Sequence, residues 1–340
     1  MKAGAWSPSP DGRPLKVAII GAGQWGQQHA RVFASRADTD LRAVVARHPE
    51  RAQARAAEWG IRAYTSIPDM INAERPDLVS VSLPNEDHFD ATMQVIEAGV
   101  PLLAEKPLVF DLAQADQLLA AAERQDLFFA INFNHRYAEP VRRARAAVSS
   151  GDVGDIVFAT WRFGGETGTS SHPHANLIET QCHGLDMLEH LCGPIRSVMA
   201  QMTSTDGHGH GTIAVALAFR SGAVGTLLGT YDSSYAYPGA HFLEVNGTSG
   251  RLTVEDTVRR FTFSRAGEET RQVWEAGYFN DTDRDFHQTF DKHADAIVAA
   301  LRAGAPPPVH ARAGRRALEL AYAIIESFEA GRRVPVPDPR

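Results

Sequence analysis

Two cysteines, Cys182 and Cys192, are all that the 340 residues contain. So few exclude a disulfide-built fold and suit a reducing compartment, so a cytoplasmic location is expected. Long apolar runs are missing too. No stretch approaches the roughly 20 residues that span a bilayer. Residues 1–14 are rich in Pro, Ser and Gly and lack the apolar centre of a signal peptide, so they read as a disordered extension. Positive charge is in deficit: Lys and Arg total 34 against 41 Asp and Glu, a net charge of −7. That excludes the basic surface a nucleic-acid partner needs. Repeats and low-complexity tracts are absent.

What is present begins with Lys16-Val17-Ala18-Ile19-Ile20 running into Gly21-Ala22-Gly23-Gln24-Trp25-Gly26. Val17, Ile19 and Ile20 read as a buried parallel strand. Gly21 allows the turn, Gly23 lets a pyrophosphate approach the backbone, and Gly26 lets the next helix pack closely on the sheet. That helix, over 24–35, aims its positive N-terminus, Gln24 and Trp25 included, at the phosphates. A glycine-rich turn without a ligand is the plain alternative. The strand before and the helix after favour the dinucleotide site.

Strands and helices then alternate. Strands are expected over 41–46, 78–83, 101–104 and 128–132, with helices over 50–59, 89–98 and 112–124. This alternation predicts a doubly wound parallel sheet with its ligand at the carboxyl ends of the strands. Gly21–Gly26, Ala46–His48, Pro84–Asn85 and Glu105-Lys106-Pro107 gather along that edge, and Lys106 falls at the far end of the cofactor site. Where NAD-binding chains carry an acid after the second strand, this one has Ala46, Arg47 and His48. Without a carboxylate there, and with a guanidinium able to fork onto a phosphate, NADP is expected ahead of NAD. The alternative leaves Arg47 as a solvated loop residue.

Beyond residue 135 longer strands appear over 156–163, 213–219, 224–231, 242–245 and 258–263, several separated by Gly-rich turns. Two helices follow, over 285–302 and 313–330. The expected organisation is an α/β chain: extension 1–14, Rossmann domain 15–135, and an α+β domain 136–340 with an open, mostly antiparallel sheet for substrate binding and oligomerisation. An exposed apolar sheet face points to a homodimer or homotetramer.

Residues 178–191 read as one helix with Glu179, His183, Asp186 and His190 on one face and Leu185, Leu188, Leu191 and Cys192 on the other. A polar, solvated face is one reading. A histidine titrating near neutral pH beside a carboxylate that orients it is the other, a proton-transfer device. Cys182, His183, His190 and Cys192 point in different directions, so no metal site is expected. Arg162, His172 and His174 are candidates for an anionic group on the substrate. The polar loop 164–176 either covers a ligand or is plain loop. His208 and His210, in a Gly-rich turn, read as surface residues.

The chain resembles the Gfo/Idh/MocA oxidoreductases from Lys16 to Val336. The resemblance rests on the glycine motif, Pro84-Asn85 with His88, Glu105-Lys106-Pro107, Asn134-His135-Arg136, Val245-Asn246-Gly247-Thr248-Ser249-Gly250 and the Gly331-Arg332-Arg333-Val334 end. It implies a nicotinamide cofactor held by the glycine turn, Pro84, Asn85, His88 and Glu105-Lys106-Pro107, in which the Lys-Pro peptide is often cis. It implies hydride exchange with a carbinol carbon of a sugar, sugar derivative or cyclic polyol. Lys106 would then stand at the reacting oxygen, His183 would serve as acid/base with Glu179 orienting it, and Arg136 would lie near substrate. Many relatives have Asp four residues before that histidine, with Gly between; here Glu179 and Gln181 stand in that stretch. A mere phosphate or ribose contact is the other role open to Lys106. Other activities open to such a chain are redox-neutral glycoside processing with tightly held nicotinamide, imine or dihydrodiol reduction, and non-catalytic sensing.

Overall fold

The computed structural model describes residues 12–83, 87–165, 172–203, 209–234 and 236–339. The expected extension therefore lies largely outside the described residues, as do Pro84, Asn85, His208 and residues 166–171 of the polar loop. The chain forms two compact units. One runs up to Asn132 and takes in Phe290–Arg315; the other holds Phe133–Thr289 and Arg316–Arg340.

In the first unit, strands β1 (Leu15–Ile20), β2 (Thr39–Val45), β3 (Arg62–Tyr64), β4 (Leu78–Val81), β5 (Leu102–Ala104) and β6 (Phe129–Ile131) alternate with helices. The helices are α1 (Gln24–Ala34), α2 (Pro49–Trp59), α3 (Ile67–Glu74), α4 (His88–Glu97) and α5 (Leu112–Glu123). All strand pairs are parallel, in the order β3-β2-β1-β4-β5-β6. Val17 to Ile20, all of β4 and all of β5 are buried, the continuous burial of a sheet covered on both faces. The expected strands and helices are present here within a few residues of their expected ends. The short β3 and the helix α3, which starts at a Ser66 cap, are additions the apolar pattern does not announce.

In the second unit, helix α6 (Glu139–Ser149) precedes β7 (Ile156–Gly164), and α7 (Cys182–Cys192) precedes β8 (Ile195–Thr203). Strands β9 (Thr212–Phe219), β10 (Val224–Thr230), β11 (His241–Gly247), β12 (Gly250–Glu255), β13 (Arg260–Arg265) and β14 (Arg271–Glu275) follow. Along the chain there follow a short helix α8 (Asp281–Arg284), then α9 (Gln288–Arg302), most of which belongs to the first unit, α10 (Arg312–Ala330) and a final strand β15 (Val334–Pro335). The sheet order is β14-β13-β12-β11-β7-β10-β9-β8-β15, with β7–β10 its parallel pair. Asp256 and Thr257 take positive φ, a tight reversal that starts β13 at Arg260 instead of 258. One face packs Ala159, Trp161, Phe163, Leu227 and Val245; the other exposes Met199, Val224 and Leu228.

Linear reading assigns everything after 135 to one domain, whereas Phe290–Arg315 joins the first unit. The cause is local. Phe290 packs edge-on to His29, and Asp291 and Asp295 pair with Arg31 and Arg36 of α1 and its flank. Residues 309–311 also hydrogen-bond along β6 through Ile131 and Ala311, covering a sheet edge.

Candidate active site

The glycine turn has the geometry its sequence calls for. Gly21 has φ of +123°, and a Cβ there would lie 2.1 Å from Ser82 O. A Cβ on Gly26 would lie 2.1 Å from Gly21 O, whereas one on Gly23 would meet nothing within 4 Å. Two glycines are thus required by packing, and the third leaves open room at the start of α1. No side chain caps that helix, so its first N–H groups suit an anion. These residues fit a dinucleotide. Gln24 and Trp25 are exposed beside them, and Trp25 stacks on Phe290 with ring centroids 5.6 Å apart.

Lys106 follows β5 and is half-buried, and the Lys106–Pro107 peptide is cis. Glu105 lies beneath the loop, 4% exposed. Its Oε1 accepts from His29 Nε2 at 2.8 Å and from Asn132 Nδ2 at 2.6 Å, and its Oε2 accepts from the Lys106 N–H at 3.1 Å. His29 Nδ1 lies 3.0 Å from the Ser80 hydroxyl. His293 Nδ1 donates to Asn132 Oδ1 at 2.8 Å. Burial alone would push the Glu105 carboxyl up. The His29 hydrogen bond and charge, Lys106 and Asn132 outweigh it and hold the group below its ordinary range. His88 is fully buried, its ring nitrogens 3.0 Å from Pro107 O and 2.8 Å from Leu83 O. Burial holds it below the usual histidine range. Glu105 and His88, expected at the cofactor, thus brace the loops behind it. Arg47 is exposed and pairs with Asp87.

In the second unit the helix expected over 178–191 is interrupted. Asn176–Thr180 is a π-helical turn, and α7 starts at Cys182. The wider turn shifts the phase, so the i, i+4 spacing does not by itself put Glu179 on the His183 face. Nor is the polar face solvated: His183 and Asp186 are buried, as are Leu185, Leu188, Leu191 and Cys192. His183 stacks on His135 with ring centroids 4.0 Å apart and planes 11° from parallel, and Phe133 meets it edge-on at 5.7 Å. Arg136 does not project as an available fork. Its Nε donates to Asp186 Oδ2 at 2.8 Å and its Nη2 to Oδ1, anchoring the 134–137 turn to α7. Gln181, fully buried, accepts from Trp161 Nε1 at 3.2 Å and donates to Phe163 O at 3.2 Å. Gly184 packs directly on Trp161.

Strand alternation sends Trp161 and Phe163 toward α7 and Arg162 to the opposite face, where its Nη2 donates to Gly239 O at 2.6 Å. His172 Nδ1 accepts from the His174 N–H at 3.1 Å, and His174 stacks on His210, which meets Phe328 of α10. Desolvation lowers both His172 and His174. Cys182 and Cys192 are separate thiols, and burial pushes Cys192 up to about 12. Among the described residues no group of three or more His, Cys, Asp or Glu could hold a metal. No helix there is long and apolar enough to cross a membrane.

Residues that sequence reading missed are His29, Asn132 and His293. Each is a polar residue next to an apolar run, and nothing local distinguishes it from a surface side chain.

Residues 15–133 match the oxidoreductase family with an NAD-binding Rossmann fold, and residues 146–336 match its C-terminal alpha/beta domain. D-glucoside 3-dehydrogenase of Escherichia coli K12 is 36% identical over 151 residues, 44% of this chain and 43% of that protein. Inositol 2-dehydrogenase of Leifsonia xyli is 31% identical over 54% of this chain and 56% of that protein. The matched segments thus span about half the length of these two relatives. Myo-inositol 2-dehydrogenase of Thermotoga maritima is 24% identical over 95% of this chain and 99% of that protein. Levoglucosan dehydrogenase solved with NADH shares the fold at a TM-score of 0.85 and 19% identity, over 96% of this chain and all of that one (100%). With one match on the glycine-turn unit and the other running over more than half of the residues, the chain belongs to the Gfo/Idh/MocA family of oxidoreductases.

Proposed function

We propose that the chain is an NAD(P)-dependent dehydrogenase acting on a CH–OH carbon of a sugar, sugar derivative or cyclic polyol. The observation that carries this reading is the pairing, within one unit, of an open glycine cradle with a lysine whose backbone is tied to a buried carboxylate. The sugar and inositol dehydrogenases among the relatives support the substrate class. When bound, a nicotinamide supplies the hydride acceptor or donor. Gly21, Gly23, Gln24, Trp25, Gly26 and Pro107 serve its binding, with Pro84 and Asn85, and Glu105 and His88 fix the loops.

In the oxidation direction His183 takes the hydroxyl proton, and Lys106 donates a hydrogen bond to the same oxygen and stabilises its developing charge. Glu179 biases the His183 ring. His172, His174 and Arg136 belong to the surroundings of substrate. Arg47 favours NADP over NAD through its guanidinium. The exposed apolar residues Met199, Val224 and Leu228 on one sheet face support a homodimer or homotetramer, and the protein is assigned to the cytoplasm.

The test is nicotinamide absorbance with NAD and NADP separately, against aldoses, inositols, amino sugars and acidic sugars. A rise with one class, lost by about 10²–10⁴-fold in Lys106→Ala while nucleotide binding persists, is the expected result. No rise from folded protein with any class overturns net dehydrogenation. Lost nucleotide binding with unchanged residual turnover overturns the role of Lys106.

A further inference from the structure

A sheet that binds an NAD-type nucleotide normally ends its second strand with the carboxylate that takes the adenosine ribose hydroxyls. Here β2 ends at Val45, and Ala46, Arg47 and His48 follow. The acid arrives from another strand. Asp87 belongs to the loop after β4, and its Oδ1 lies 2.5 Å from Arg47 Nη2. Strands β2 and β4 flank β1 on either side. The ion pair therefore crosses the carboxyl end of the strand that feeds the glycine turn, where the adenosine half of a dinucleotide lies.

Among the described residues, no other side-chain contact accounts for this pair. Asp87 sits at the start of α4 but its side chain makes no cap hydrogen bond. The side chains are 70% exposed for Arg47 and 37% for Asp87. An ion pair this open to solvent is readily exchanged for another partner. Along the β2 loop, His48 and Glu50 face each other at 3.8 Å.

We propose that Asp87 is the specificity-determining residue for NAD against NADP, acting together with Arg47. The inference rests on the glycine turn being a dinucleotide site. With a ribose 2′-hydroxyl, Asp87 keeps Arg47 and its second carboxylate oxygen accepts from the hydroxyl, supplying from β4 the acid that β2 lacks. With a 2′-phosphate, Arg47 turns to the phosphate, and Asp87 is left as a like charge beside it. Arg47 alone predicts a plain NADP preference, whereas the pair predicts a preference moderated by Asp87.

The experiment is direct titration of the full chain with NADH and with NADPH, followed by nicotinamide fluorescence, so that no turnover is needed. Asp87→Asn is expected to raise the NADPH-to-NADH affinity ratio by about tenfold. Asp87→Ser should move it the same way, and Arg47→Ala the opposite way. The shift should shrink as salt is raised, because both groups are exposed. Because the Asp87 side chain is only half-buried and makes no cap hydrogen bond, an unchanged melting temperature is expected in both variants. A ratio that stays within about twofold of the starting value in both Asp87 variants overturns the proposal while leaving the dinucleotide site standing. Failure of the unsubstituted protein to bind either nucleotide overturns the site itself and this inference with it.

Discussion

Replacing Glu105 tests whether the loop bearing Lys106 is held by its buried carboxylate. Glu105→Ala strands donors at His29 Nε2, Asn132 Nδ2 and the Lys106 amide, now bonded at 2.8, 2.6 and 3.1 Å. An unsatisfied buried donor costs about 1–3 kcal/mol. Water entering the new space relieves some of that, so the expected loss is about 3–5 kcal/mol. For a unit of this size that is about 6–20 °C in melting temperature. Glu105→Gln keeps the volume. Its amide oxygen can still accept from His29 and Asn132, but its NH2 then faces the Lys106 N–H, donor against donor. One mismatch costs about 1–3 kcal/mol.

The assay is thermal melting by circular dichroism, with hydrogen exchange of the 102–110 segment to place the effect. A double-mutant cycle with His29→Ala should give a coupling of about 1–3 kcal/mol. The pH sign follows from the direction of the Glu105 shift. Its folded value lies below the ordinary 4.5, so its contribution is complete above that value and is lost as pH falls through the folded one. Glu105→Gln removes this component of acid sensitivity. A Glu105→Ala protein within about 0.5 kcal/mol of the original, or strict additivity with His29→Ala, refutes the bracing role.

Gly23→Ala and Gly26→Ala should part company. The Gly26 Cβ would sit 2.1 Å from a backbone oxygen and the Gly23 Cβ in open space. The first should therefore lose about 1–3 kcal/mol in a urea melt, while the second keeps its melt and loses nucleotide affinity in a titration. Nucleotide binding by Gly23→Ala equal to that of the original chain contradicts the cradle. The second unit should lose stability on mild acidification. Burial lowers His241 to about 4 and His190 to about 3. Below about 6.5 the unfolded chain binds protons that the folded one refuses. Stability should then fall by up to about 1.4 kcal/mol per pH unit for each histidine between about 6.5 and the folded values. His241→Phe, read in pH-resolved urea melts, should reduce that slope, and an unchanged slope contradicts the assignment.

The parallel sheet was legible because its signals are local. A buried strand, three glycines and a helix occupy twenty consecutive positions from Leu15 to Ala34, and two of the glycines have a steric reason of their own. Lys106 was legible for the same cause, since it directly follows a buried strand. Local signals misled where regular geometry was assumed. The phase of a uniform α-helix does not by itself bring Glu179 to the His183 face, because Gln181 locks into Trp161 and Phe163 and Glu179 lies in a π-helical turn. Arg162 was placed by its charge, while its parity on β7 sends it to the other side of the sheet from Trp161 and Phe163.

What the sequence hides most completely is the company that polar residues keep. Glu105 joins His29, Asn132 and Lys106, and through Asn132 reaches His293. Those positions are scattered across the chain and share no pattern, because a buried polar group is defined by its partners and not by its neighbours in sequence. The Arg47–Asp87 pair teaches the same point at the surface. Inspecting the end of β2 correctly finds no acid there, yet parallel topology makes the ends of β2 and β4 neighbours of the same glycine turn. If the proposal for Asp87 holds, cofactor choice in this sheet is a property of two loops about forty residues apart in this chain. On that proposal, an arginine after the second strand favours NADP less where the loop after the fourth brings it a carboxylate, as Asp87 does here.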